Sequence, residues 1–449
     1  MMPGDPPAPA QAGRGSATKH RRLQMTRVLS LLPARRRDLF SGVAGQSLLS
    51  AASFAISLVL VRVASKEHFG LYTLGTTVMT LAAGMMNALI YTQMTVTGPR
   101  IQAAARPVYH GAMLLAQYIV LVPVVVAGVV AILLSASNSG ADALQTRILA
   151  PAVGIACLGY ALLDFSRRLN YLTGHGPRAL AYDSIYVALL ALGLALLVAL
   201  GESDRLYWFI FGLICLAAVA CGLAALKPHE LPWAAAASRV RPSLTDAWRN
   251  GSWALAGMLV TWVQGSAYVY MLQLAMGSTA VADANAARLL MVPPLVLQTG
   301  LGIAVLPRLA SSTAAGDRHA AAQLALKVFG PVLLGVLLYS ALVLSLWEPL
   351  SGVMLGTEYV GLRAVVLAWA VVIGLIVIRA GLSALLQAER RFRALTLSGL
   401  AAATLVLLCT ILLVREFGVV GAVMALGAGE LLLVSLLASQ YLKCRRHAG

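Results

Sequence analysis

Charge is scarce in this chain. Only 11% of its 449 residues are Asp, Glu, Lys or Arg, against roughly 25% in an average soluble domain. A hydrophobic content of 59% excludes a soluble fold. Acid is scarcer than base, with 17 Asp and Glu against 34 Lys and Arg and a formal net charge of +17. Cysteine is rare too: Cys157, Cys215, Cys221 and Cys409 fall in apolar stretches and Cys444 near the C-terminus, which leaves no pair in an outward loop to form a disulfide. The seven His are scattered without HExxH or CxxC spacing, so no metal site and no cofactor is expected. A phosphate cradle of the GxxxxGKS or GxxxxGKT type is also missing, and with it that route to ATP hydrolysis.

Long apolar runs dominate instead. A membrane helix needs about 20 mainly apolar residues to cross a hydrocarbon core of about 30 Å. Twelve stretches meet that length: 41–63, 70–94, 109–134, 148–166, 180–200, 206–226, 251–276, 284–306, 328–347, 364–387, 395–414 and 419–441. The expected fold is an all-α integral membrane protein with twelve transmembrane helices.

Positive charge falls in alternate compartments. The N-terminal tail, the C-terminal tail and every second connection hold nearly all the Lys and Arg, whereas the opposite connections hold only Arg62, Lys66, Arg147, Arg205, Arg363 and Arg415. Arg288 and Arg379 lie inside spans. The positive-inside rule then places both termini in the cytoplasm, and the basic face is expected to meet anionic membrane lipids. Topology accounts for the net charge, so nucleic acid is not an expected partner.

Residues 1–40 read as a cytoplasmic basic tail, disordered over Met1–Ser16 in composition. Lys19–Phe40 mixes basic and apolar residues, as an interfacial helix or a plain basic tail would. Connections are short on both sides; 227–250 is the longest inward one and reads as a cytoplasmic linker, with 443–449 as a C-terminal tail. None has room for a catalytic domain or an outward-facing cluster of acids, bases and arginines. A membrane glycan polymerase or ligase is therefore disfavoured, and a non-enzymatic transporter is expected.

The two halves look alike. Arg37-Asp38-Leu39-Phe40 and Asp246-Ala247-Trp248-Arg249 each open a span dotted with small and amide residues, followed by a tiny outward loop. Six spans separate the copies, so 41–226 and 251–442 are expected to form parallel six-helix bundles around a central cavity.

Three stretches carry a family resemblance. Leu385–Leu437 has a basic turn, a span, Phe417-Gly418, the Gly421-Ala422 start of a last span, and Glu430 in mid-helix. Val61–Leu81 has an acidic residue before an aromatic, a Gly and a small-residue-rich span, and Leu355-Gly356-Thr357-Glu358-Tyr359 forms a third motif. Together with the span pattern over about 37–442, these make the chain resemble the polysaccharide-transport flippases of the MOP superfamily. The resemblance implies translocation of an undecaprenyl-diphosphate-linked oligosaccharide across a bacterial inner membrane by alternating access. It also implies a place in O-antigen, capsule or exopolysaccharide synthesis beside a polysaccharide polymerase and chain-length proteins. A cation-coupled exporter of small amphiphiles is the alternative within transport.

Charges inside a bilayer are costly, about 2.5–3.5 kcal/mol each on insertion scales, and so are functional candidates. Arg379 reads either as a cavity cation for the cargo's diphosphate or as a structural partner of Glu430. Arg288, with Asn285 about one turn before it and Pro293-Pro294 after it, is a second cavity candidate. Arg suits phosphate because its forked donors match two oxygens. Glu430 is a candidate coupling group, with an ion pair as the structural alternative. Gln46, Asn87 and Gln264 are candidates for sugar hydroxyls and Trp262 for stacking on a pyranose face, with helix-to-helix hydrogen bonding as the plainer account of the amides. Asp164 with Arg167 and Arg168 has the spacing of structural pairs within a helix, and Asp183 is expected to pair with an inward Arg.

Overall fold

The computed structural model describes residues 32–136, 143–202, 205–226, 231–315, 317–389 and 391–446. Most of the expected tail, 1–31, and part of the connection 227–250 lie outside the described residues. The described chain is helical and contains no strand.

In the first half, α1 runs Leu32–Val63 and α2 Lys66–Met86, the latter continuing through a π-helical turn, Asn87–Tyr91, into α3, Thr92–Thr97. Four more helices complete this half: α4 Arg106–Ala136, α5 Ala143–Leu172, α6 Gly176–Ala199 and α7 Leu206–Leu226. In the second half, α8 spans Trp233–Met276, and α9 Ser278–Leu289 and α10 Val292–Ala314 come in near succession. Then come α11 Arg318–Ser345, α12 Trp347–Met354, α13 Arg363–Ala388 and α14 Phe392–Arg446.

Ten described stretches are long and apolar enough to cross a membrane. One of them, 392–443, counts as 52 residues, or about 78 Å at about 1.5 Å per residue, more than two hydrocarbon cores. It is in fact a hairpin. Gly418 interrupts α14 with φ 55° and ψ −132°, a left-handed backbone that favours glycine. The arms then pack back on each other, with Gly429 against Val406 and Gln440 Nε2 donating to Ser398 Oγ at 2.9 Å. The region expected as one span at 284–306 is broken instead. Pro293 and Pro294 occupy the start of α10, where a missing N–H does no harm, and Leu290-Met291 turns the chain between α9 and α10.

The stretch expected as a linker, 227–250, is helical from Trp233 onward and runs unbroken into the span ending at Met276. Its alanine run favours helix, and Ala236 packs face to face with Gly111 of α4, with no room for a larger residue at either position.

Burial sorts the helices. In α5, 72% of the most apolar window is buried inside the protein, against 17% in α1. Thus α5 is the centre of its bundle, packed on α4 and α7, whereas α1 is peripheral and rests mainly on α6. The halves meet where α2 packs on α8 and α9, and α4 on α8.

A hydroxyl-lined central cavity

Between α1, α2, α8, α9 and α10 lies a cavity of about 500 Å³. One wall carries Ser50, Ser53 and Ser57 of α1 and Thr73, Thr76, Thr77 and Thr80 of α2. The helical repeat explains this wall, since residues three and four apart share a face. Ser57 and the four threonines each donate their hydroxyl proton to a carbonyl one turn earlier on the same helix. Their lone pairs remain for the cavity, so this wall accepts hydrogen bonds.

The part of the lining that α9 contributes bears Arg288, the one charged side chain among the described lining residues. Its guanidinium sits 5.7 Å from the Trp369 ring centre and is exposed to the cavity. Trp369 is anchored by its indole N–H, which donates to the Ala284 carbonyl at 2.9 Å. Asn285 lines the cavity while accepting from Tyr268 Oη at 3.0 Å and donating to the Val281 carbonyl at 2.9 Å. Gln46 also lines it, and its Oε1 lies 3.5 Å from Arg167 Nη2.

One end of the cavity is shut. Lys66 Nζ reaches Asp283 Oδ1 at 2.9 Å and lies 4.8 Å from the centre of the Tyr359 ring. Arg62 Nη1 donates to the Gly352 carbonyl at 2.6 Å. Beside them α2 and α9 touch backbone to backbone: a Cβ on Gly70 would fall 1.9 Å from the Ser278 carbonyl oxygen, so no larger residue fits. Laterally the cavity is less enclosed. Its lining includes Gln46 on α1 and Val296 on α10, two helices that do not pack along each other among the described residues.

The remaining candidates lie elsewhere. Arg379 Nε is 2.7 Å from Glu430 Oε2, and Gln264 Nε2 donates to Glu430 Oε1 at 2.9 Å. This triad ties α13 and α8 to the second arm of α14, and neither Arg379 nor Glu430 is among the described residues that line the cavity. Trp262 points its indole N–H at the Thr77 carbonyl, 3.3 Å away, and so fastens α8 to α2 rather than lining the cavity. Asn87 lies in the π-helical turn, exposed and outside the lining.

The first bundle holds a second charged cluster. Arg167 contacts Asp164 at 2.9 Å and Asp183 at 3.9 Å, and Arg168 contacts Asp164 at 3.5 Å. Asp183 is fully buried, and two arginines against two carboxylates leave the group neutral, as burial demands. The two Asp164 pairs are those that the helical spacing predicts, and Asp183 meets an inward arginine as expected. Sequence reasoning missed the hydroxyl wall, although the Ser and Thr spacing along one face was its visible signal. It also missed the Lys66–Asp283 bridge. Among the described residues no three His, Cys, Asp or Glu gather to hold a metal ion.

No family model matches the chain, and no curated protein matches it in sequence. Solved structures do match in fold. A lipid II flippase, MurJ, in an inward closed conformation gives a TM-score of 0.70 at 10% identity, over 90% of this chain and 87% of that one. A multidrug resistance MATE family transporter of the MOP superfamily, inward-facing, gives 0.65 at 12% identity over 88% and 94%. A MOP superfamily transporter from Pyrococcus furiosus gives 0.57 at 14% identity over 92% and 95%. The chain therefore has the fold of the MOP-superfamily membrane transporters.

Proposed function

We propose that this chain is a flippase that carries an undecaprenyl-diphosphate-linked oligosaccharide across a bacterial inner membrane, with twelve crossings in two parallel bundles and both termini cytoplasmic. One observation carries the reading: Arg288, the one charged side chain among the described lining residues, shares the cavity with a wall of hydroxyl oxygens. A guanidinium suits a phosphate, and acceptor oxygens suit the hydroxyl protons of sugars. The gap between α1 and α10 supports an amphiphilic cargo, whose polyprenol tail stays in lipid while the head group enters. Alternating access then amounts to exchange of the Lys66–Asp283 closure for an equivalent closure at the opposite end.

Export of small amphiphiles is the second reading, supported by the likeness to multidrug transporters. The cavity weighs against a cationic drug, because the one charged side chain among its described lining residues is itself a cation and like charges repel.

The test is Arg288→Gln in cells that depend on this chain for a surface glycan. Loss of the glycan with accumulation of its lipid-linked precursor, at normal protein level, supports the flippase. Normal glycan with altered drug tolerance supports the exporter.

A further inference from the structure

A second and larger concavity, about 990 Å³, lies away from the central cavity where the middle of α8 meets the end of α13 and the start of α14. Its walls are Trp253 and Gly257 of α8, Gln387 of α13, and Phe392, Arg393 and Leu397 of α14. The volume is that of a ligand site, which spans roughly 300–1,000 Å³. A Cβ on Gly257 would meet nothing within 4 Å, so the groove is open at that point. Trp253 is 80% exposed, and Phe392 and Leu397 are 59% and 55% exposed.

Apolar surface of this kind belongs in lipid, yet the described lining of the groove also carries a cation, Arg393. Glu389, in the turn before α14, is shared by Arg318 and Arg391, each 3.6 Å away. Arg393 makes no ion pair among the described residues and is exposed at the groove. The charge pattern assigns this turn to the cytoplasmic side, at the depth where phospholipid headgroups lie.

We infer that this groove binds an anionic phospholipid of the cytoplasmic leaflet. An acyl chain lies along Trp253, Gly257 and Leu397, and the phosphodiester meets Arg393. Arg393 supplies forked donors to the phosphate oxygens. Trp253 takes the interfacial position favoured by indole. The site is separate from the cavity and needs no particular cargo.

The full chain is reconstituted into phosphatidylcholine vesicles containing an equal minor fraction of brominated phosphatidylglycerol or brominated phosphatidylcholine. The Trp253 signal is isolated by subtracting the fluorescence of Trp253→Phe, a change at a surface position. The expected result is about fivefold stronger quenching per lipid by the anionic species, the preference one basic side chain gives near a charged leaflet. Arg393→Gln should equalise the two lipids, and Arg393→Lys should keep most of the preference. Equal quenching in the unaltered chain makes the groove ordinary lipid contact and overturns the inference. So does a preference that survives Arg393→Gln. Quenching by neither lipid means that protein, such as a second copy, covers the groove, and overturns it equally.

Discussion

Lys66 on α2 and Asp283 on α9 form an ion pair at 2.9 Å across the two halves of the chain, 217 residues apart in sequence. Their side chains are 24% and 22% exposed, so the pair is partly screened and stabilises the closed end by about 1 kcal/mol. Lys66→Ala should therefore raise the reactivity of a cysteine placed at Ser57 toward a thiol reagent supplied from the closed end by about fivefold. The double exchange Lys66→Asp with Asp283→Lys should restore protection. Unchanged labelling in Lys66→Ala would mean that the backbone contact alone closes this end.

That backbone contact has its own test. Gly70 faces the Ser278 carbonyl so closely that alanine cannot fit without separating α2 from α9. Gly70→Ala should open the closed end more than Lys66→Ala does, and transport should fall even though no charge is altered. The same labelling assay ranks the two.

The triad of Arg379, Glu430 and Gln264 predicts a stability effect. Arg379→Ala leaves a carboxylate buried without its cation and should cost about 3 kcal/mol, visible as a lower unfolding temperature in detergent. Arg379→Gln combined with Glu430→Gln removes both charges and should recover most of that loss. Glu430→Gln alone also tests coupling: transport that keeps its full response to a proton gradient would confine Glu430 to holding helices together.

The hydroxyl wall predicts graded losses. Thr76→Val keeps shape and removes an acceptor, so affinity for a lipid-linked glycan should fall about 2- to 10-fold, the equivalent of one hydrogen bond of about 0.5–1.5 kcal/mol. Thr76→Ser keeps the oxygen and should bind nearly as the parent does. Binding of the lipid diphosphate without sugar should be indifferent to both changes.

Much of this was visible in one dimension. Pro293-Pro294 lies in the eighth apolar stretch, and the structure breaks that stretch just before it, at Leu290-Met291. Phe417-Gly418 marked the turn between the last two apolar runs. Asp164, Arg167 and Arg168 paired as positions three and four apart do on any helix. The charged candidates were harder, because a lone arginine in an apolar run has the same sequence whether it meets cargo or a carboxylate. Arg288 and Arg379 were equivalent on that criterion, yet one faces the cavity and the other meets Glu430 at 2.7 Å. Trp262 was a candidate for stacking on a sugar by its type alone, and the structure sets its N–H toward the Thr77 carbonyl.

The order of residues by itself determined that this is a polytopic helical membrane protein, because apolar length and the distribution of basic residues are local properties that bilayer thickness and leaflet charge act on directly. Tertiary structure alone decided which polar groups are available. Whether a side chain is free depends on partners brought in from distant helices: Asp283 for Lys66, Glu430 for Arg379, Arg167 for Asp183. Inside a membrane, where unpaired charge is costly, that pairing separates the groups that hold the helices together from those left to meet a cargo.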